Sequence, residues 1–255
     1  MVQESPGTRF TGSTLIRLLT QLTGPLIGES KQAFSERLSQ WVTWTDAIEL
    51  SATLQGRPTR TPAAPAPAKP FEQGDEAREL ERELDALRNA FAKSIAEDCA
   101  PRLGKQGANA PVPAKAAPFV DMPLDFAPYR RRCLSRQQAM EAGISALRSR
   151  LRTALSQRSP HMARLAALDE VMDNTLGPRE HALLAAVPKF LEKHFERLRK
   201  TRDELPAEDT PSPDEPWLDL FCKDMHAALL AELDVRLQPL EGLLEALRKT
   251  PREPS

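Results

Sequence analysis

Leucine recurs every three or four residues through long charged stretches of this chain. From Trp217 to about Lys249 the repeat runs through Leu218, Phe221, Met225, Leu229, Leu233, Leu237, Leu240, Leu244 and Leu247. Leu80, Leu84, Leu87, Phe91 and Ile95 repeat the pattern in a tract where nearly everything else is charged. A period of three to four puts such residues on one face of an α-helix, whereas a half-buried strand needs a period of two. The residues that favour strands are also scarce. Ile and Val together number 12 of 255, with one Tyr and three Trp. Ala, Glu, Lys, Leu and Arg make up 126 of 255 residues, or 49%, the mark of long helices. An all-α fold is expected, and a Rossmann fold, a TIM barrel and a β-sandwich are all disfavoured.

Proline punctuates the pattern. Fifteen of the 23 prolines fall in three stretches, at 58–70, 101–128 and 206–216. The first two read as extended linkers and the third as an acidic loop between helices. Five segments follow: a helical hairpin over 1–55, a linker over 56–73, a charged amphipathic helix over 74–100, a linker over 101–128, and an antiparallel bundle over 129–250. In the hairpin, Thr11 or Ser13 caps a short helix carrying Leu15, Leu18, Leu19 and Leu22, and Gly24-Pro25 ends it. Ser30 then caps one longer helix to about Leu54. Its stripe is Phe34, Leu38, Trp41, Thr45, Ile48 and Ala52, with Phe34, Trp41 and Trp44 supplying the small core. Further on, a helix is predicted over 128–157, and Ser159-Pro160 reads as an N-cap followed by proline at the first helical position. Gly177-Pro178 is expected to restart the chain, Pro188 to kink the next helix, and Pro239 to bend or split the last one.

The chemistry-bearing signals are sparse. Gly7 to Thr14 has the glycine spacing of a phosphate loop, but Ser13 stands where the lysine belongs and no strand precedes it, so a turn with an N-cap is the better reading. Cys222 and His226, four apart, lack further ligands for a metal. No nucleophile motif occurs, and neither catalytic residues nor a cofactor are assigned. Cys99, Cys133 and Cys222 are odd in number and widely spaced, which fits a reducing compartment. No signal peptide and no membrane span are expected, and the cytoplasm is the expected location.

Charge is more telling than its sum of -1. Between Tyr129 and Arg164 lie nine Arg and one acid, Glu141, while 72–98 and 203–219 are strongly acidic. Opposed blocks attract, within one chain or between chains. The Arg block could therefore face an acidic helix of the bundle or an external anion. The candidate interaction residues are Arg130, Arg131, Arg132, Arg136, Arg148 and Arg152, together with Trp44 and Asp46 as an aromatic anchor and its neighbour. Nucleic acid is the weaker choice of anion, because Tyr129 is the only aromatic near those arginines. The 74–98 helix is a candidate for self-association.

Arg9 to Leu15, Phe34 to Trp41 and Trp44 to Ile48 resemble the proteobacterial family known as domain of unknown function 3348. Gly177-Pro178-Arg179-Glu180 and Val187-Pro188 with Leu191, Glu192 and Phe195 fit the same resemblance. The genes of that family lie beside those for a proton-channel-like membrane protein and an OmpA-like envelope protein. The resemblance thus implies a cytoplasmic accessory of an envelope-spanning assembly, with envelope or membrane-channel proteins as partners. The function expected is a non-enzymatic helical adaptor or scaffold. The alternative is a nucleic-acid-binding regulator using the Arg-rich helix over 129–164.

Overall fold

A computed structural model of the protein describes residues 14–23, 34–55, 73–98, 125–204 and 216–249. They form eight helices: α1 (Thr14–Thr23), α2 (Phe34–Trp41), α3 (Trp44–Leu54), α4 (Gln73–Asp98), α5 (Ala127–Ser156), α6 (Pro160–Leu184), α7 (Val187–Glu204) and α8 (Pro216–Lys249). Among the described residues there is no strand, and the all-α expectation holds. The glycine-spaced segment before Thr14 and most of both expected linkers lie outside the described residues.

The axis of the fold is α8, which touches α1, α4, α5, α6 and α7. Its leucine stripe is buried as the spacing predicts. Burial also spreads around the helix: Ala228, Leu229, Ala231, Glu232 and Leu233 are all buried within one and a half turns. Side-chain pairs fix the directions of its neighbours. Tyr129 meets Phe221 edge-on with centroids 5.2 Å apart, and Gln137 meets Glu232, so α5 runs parallel to α8. Glu81 pairs with Arg248 and Arg88 with Glu241, so α4 runs antiparallel to α8. Asp169 opposite Arg152, Leu184 opposite Gln137 and Glu192 opposite Arg130 run α6 and α7 back along α5 as one interrupted rod. The result is a four-rod bundle of alternating direction, built from α4, α5, α6 with α7, and α8.

The charged 74–98 tract, expected as a separate helix, is one of these rods. Leu80, Leu84 and Ile95 are buried within the chain, and the stripe proposed for self-association faces α5 and α8 instead. Gly143 lets α4 approach closely, since a Cβ there would sit 3.0 Å from Leu87 Cδ1 and 3.1 Å from Phe91 Cζ.

The N-terminal part differs from the expected hairpin. α1 buries Leu15, Leu19 and Leu22 against α7 and α8. The expected second helix is two helices, α2 and α3, broken at Val42–Thr43, and both lie against α6. A 10-residue helix exposes too much of its apolar face to be stable by itself, and the groove between α7 and α8 covers it.

The breaks in the third rod also move. Pro178 is accommodated inside α6, and the chain turns only at Ala185–Ala186. Pro188 is then the second residue of α7, where a missing N–H costs nothing. Leu184 is the last residue of α6, so its carbonyl is one of those that a helix end leaves without an intrahelical donor. The Nε2 of buried Gln137 donates to that carbonyl at 2.9 Å. Pro239 likewise sits inside an unsplit α8, flanked by the fully buried Leu237 and Leu240.

Two arginines one turn apart on α5 interlock with two aspartates one turn apart on α6. Arg148 donates from Nε and Nη2 to both oxygens of Asp169, at 2.9 and 2.6 Å, and from Nη1 to Asp173 at 2.7 Å. Arg152 donates to Asp169 at 2.6 Å and to Asp173 at 2.8 Å. Burial pushes the Asp169 carboxyl up, but the two guanidinium groups outweigh it and hold the group below its ordinary 3.8. The stabilisation from a lowered carboxylate is complete above 3.8 and is lost as pH falls through the folded value. Asp169→Asn is therefore expected to lower unfolding stability at neutral pH by about 2–4 kcal/mol, the buried-pair range reduced for partial exposure. In denaturant titrations at several pH values, the gap between variant and parent should shrink below 3.8. A gap that is absent at neutral pH, or that widens in acid, contradicts this account.

Candidate interaction surface

The arginines of α5 separate into two groups. Arg148 and Arg152 are only 13% and 18% exposed and are committed to Asp169 and Asp173. They were expected as interaction residues; the structure places them inside the α5–α6 contact, because a desolvated guanidinium must be paired. The others stay near the surface. Arg130 pairs with Glu192, and its guanidinium carbon lies 5.8 Å from the Phe126 ring centre. Arg132 lies over Tyr129 at 5.9 Å, and Arg136 is half-buried. Arg131 is exposed beside a shallow depression lined also by Asp125, Arg130, Leu134 and Glu192. Two acids in that lining weaken it as a seat for an anion.

Trp44 has a different setting. The Thr43 side chain caps α3 and accepts from the Asp46 backbone N–H at 3.3 Å. The Asp46 carboxylate in turn accepts from the Thr43 N–H at 2.8 Å and its hydroxyl at 2.6 Å. This reciprocal capping starts a new helix at Trp44. The hydrogen bonds from the Thr43 side chain and backbone lower the Asp46 pKa. Asp46, expected as the neighbour of Trp44 on the interaction surface, instead acts as a cap: at 100° per residue it lies about 160° around the helix from Trp44.

The new helix resets the register, so Ile48 does not continue the stripe of Phe34 and Trp41. Thr53, the one buried residue of α3, lies about 180° from Trp44. Trp44 points away from the bundle at 81% exposed, followed by Ile48 at 52%. With Ala47, Ser51, Ala52 and Gln55 they line a shallow trough. None of these residues is charged, and Leu54 stands exposed at the trough's edge. Ile48, Ala47 and Ser51 were not foreseen as surface residues. The signal for them was Thr43-x-x-Asp46, a helix start hidden inside an apparently continuous stripe.

The remaining candidates are structural. His194 is buried beside Phe221. Arg197 can only donate to its Nδ1, at 3.0 Å, so the ring carries its hydrogen on Nε2 and donates to Asp224 at 2.8 Å. Cys222 is half-buried against the core. Among the described residues no three His, Cys, Asp or Glu side chains are grouped to hold a metal. No described helix is long and apolar enough to cross a membrane.

Trp44 should dominate the quenchable fluorescence, since Trp217 is buried and Trp41 half-buried. Trp44→Phe is expected to remove most of the iodide-quenchable emission of a dilute sample. Unchanged quenching would contradict the outward placement of α3.

No curated protein and no solved structure matches the chain. The chain does match the family described as Protein of unknown function (DUF3348) over residues 1–249. That span takes in every described helix, from α1 to the end of α8, and the chain belongs to this family.

Proposed function

We propose that this protein is a non-enzymatic cytoplasmic adaptor or scaffold that docks a protein partner through the outward face of α3. The observation that carries the reading is Trp44, 81% exposed on a helix whose opposite side is fastened to the bundle. A large aromatic on an uncharged, small-residue face is the composition of an interface hot spot. The bundle supports it as a rigid base, with α3 as the presented element. The family resemblance supports an envelope-associated assembly as the setting. The Arg-rich helix gives less support to a nucleic-acid reading, because Arg148 and Arg152 lie between aspartates, Arg150 pairs with Glu83 and Arg130 with Glu192.

The test is capture of the tagged full chain from its native cells with nuclease present, comparing the parent with a Trp44→Ala, Ile48→Ala variant. The expected result is a nuclease-resistant set of protein partners whose recovery falls more than about tenfold in the variant, with the helical circular dichroism unchanged. Equal recovery by both proteins would overturn the α3 reading. Loss of every partner on nuclease treatment would favour nucleic acid.

A further inference from the structure

We infer that the break between α2 and α3 is a latch with two positions, one that displays the Trp44 face and one that folds it toward the bundle. In the capped position of the structure, α3 starts afresh at Trp44 and turns Trp44 and Ile48 outward. In the fused position, α2 and α3 run as one helix through Val42 and Thr43, and α3 turns Ile48 to α6. The latch presupposes that this face is the docking surface and regulates its exposure.

The residues at the break do not compel it. Neither Gly nor Pro occurs between Phe34 and Leu54. The apolar period of Phe34, Leu38, Trp41, Thr45, Ile48 and Ala52 crosses Val42–Thr43 without a change of phase. What stops the helix there is one cap. Thr43 is extended, at φ -75° and ψ 166°, and exchanges hydrogen bonds with Asp46. Both helices lie against α6, so fusing them detaches neither from the bundle.

The capped position also sets α3 against its own polarity. Its one buried residue is Thr53, whose hydroxyl is turned back to the Glu49 carbonyl at 2.8 Å, while Trp44, Ile48 and Leu54 are exposed. Leu50 is half-buried. In a continuous helix Thr45, Ile48 and Ala52 fall on the side of half-buried Trp41. Turning α3 by about a third of a turn brings that side to α6. The turn exchanges Leu50 for Ile48, apolar residues of the same size, and moves Trp44 from the outermost position to the flank of the contact. The gain at Trp44 and the added backbone hydrogen bonds oppose the loss of one capping box, and terms so nearly matched keep both positions within reach. A partner that grips Trp44 selects the capped position, and its apparent affinity falls with the fraction of the chain that is fused.

The experiment is fluorine NMR of the full chain labelled with fluorotryptophan, the Trp44 signal being assigned by Trp44→Phe. In the parent, Trp44 is expected to show the large solvent isotope shift of an exposed ring. Thr43→Ala removes the cap and favours a continuous helix. It is expected to raise the ratio of shielded to exposed Trp44 signal about fivefold, the equivalent of one lost cap, while helical circular dichroism rises. Thr43→Ser keeps the cap and should keep the parent spectrum. A Trp44 signal as exposed in Thr43→Ala as in the parent overturns the latch. So does a loss of helical signal in that variant, which marks a frayed α3. If Thr43→Ala shields Trp44 yet captures its partners in full, the latch stands and the docking reading falls. If Trp44 stays exposed in Thr43→Ala while Trp44→Ala, Ile48→Ala loses its partners, the latch falls and the docking reading stands.

Discussion

Leu184 ends α6, its carbonyl has no donor within that helix, and the middle of the bundle meets it through one side chain. The carbonyl of Leu184 needs another donor, and Gln137 of α5 supplies it at 2.9 Å while its Nε2 also meets the Glu232 carboxylate of α8 at 2.9 and 3.1 Å. Glu232 is fully buried, and burial raises its pKa against the opposing pull of Gln137 and Arg236. One amide side chain thus joins α5, the α6–α7 break and α8. Removing it would leave a carbonyl and a carboxylate short of a donor in a dry interior, a heavier loss than one ordinary hydrogen bond. The junction ties three of the four rods together at one level.

Two further contacts hold the bundle on either side of it. Toward one end, Arg148 and Arg152 lock α5 to α6 through Asp169 and Asp173. Toward the other, Phe126, Tyr129, Phe195, Trp217 and Phe221 bring the starts of α5 and α8 against α7, with centroids 5.0–6.5 Å apart. α8 contributes Trp217 and Phe221 to the second of these and is buried over much of its circumference. α3 stands apart from this scheme. It has one buried residue and an uncharged outer face. The bundle supplies rigidity, and the surface best suited to recognition lies on the element least embedded in it.

Much of this architecture is legible in the sequence, because apolar spacing reports burial directly. The stripes at 80–95 and 218–247 and the Ser159-Pro160 cap are found where the residues indicate. Proline was harder to interpret. Pro178 looks like a restart and lies inside α6, which packs against α5 and α3, an instance of tertiary packing overriding local propensity. The expected kink at Pro188 is instead a helix start, because the chain turns at Ala185–Ala186 and puts Pro188 in the first turn of α7, while the carbonyl that ends α6 is met by Gln137, 47 positions away in the chain. Local sequence holds no trace of that long-range partner.

The candidate site was half legible. Trp44 could be marked as an anchor, since it falls at the edge of the apparent stripe. Ile48 could not, because the Thr43–Asp46 cap that rotates it outward is masked by an unbroken apolar period. The arginines of α5 misled in the opposite way: their count is visible, but only the fold reveals that Arg148 and Arg152 face Asp169 and Asp173. The measurement that most directly tests a bundle centred on α8 with α3 outboard is native-state hydrogen exchange. Amides over 228–237 are expected to exchange only through global unfolding, while those of α3 exchange through a local opening several kcal/mol lower that leaves the bundle protected. Protection of α3 equal to that of α8, or opening of α8 ahead of α3, would contradict this architecture.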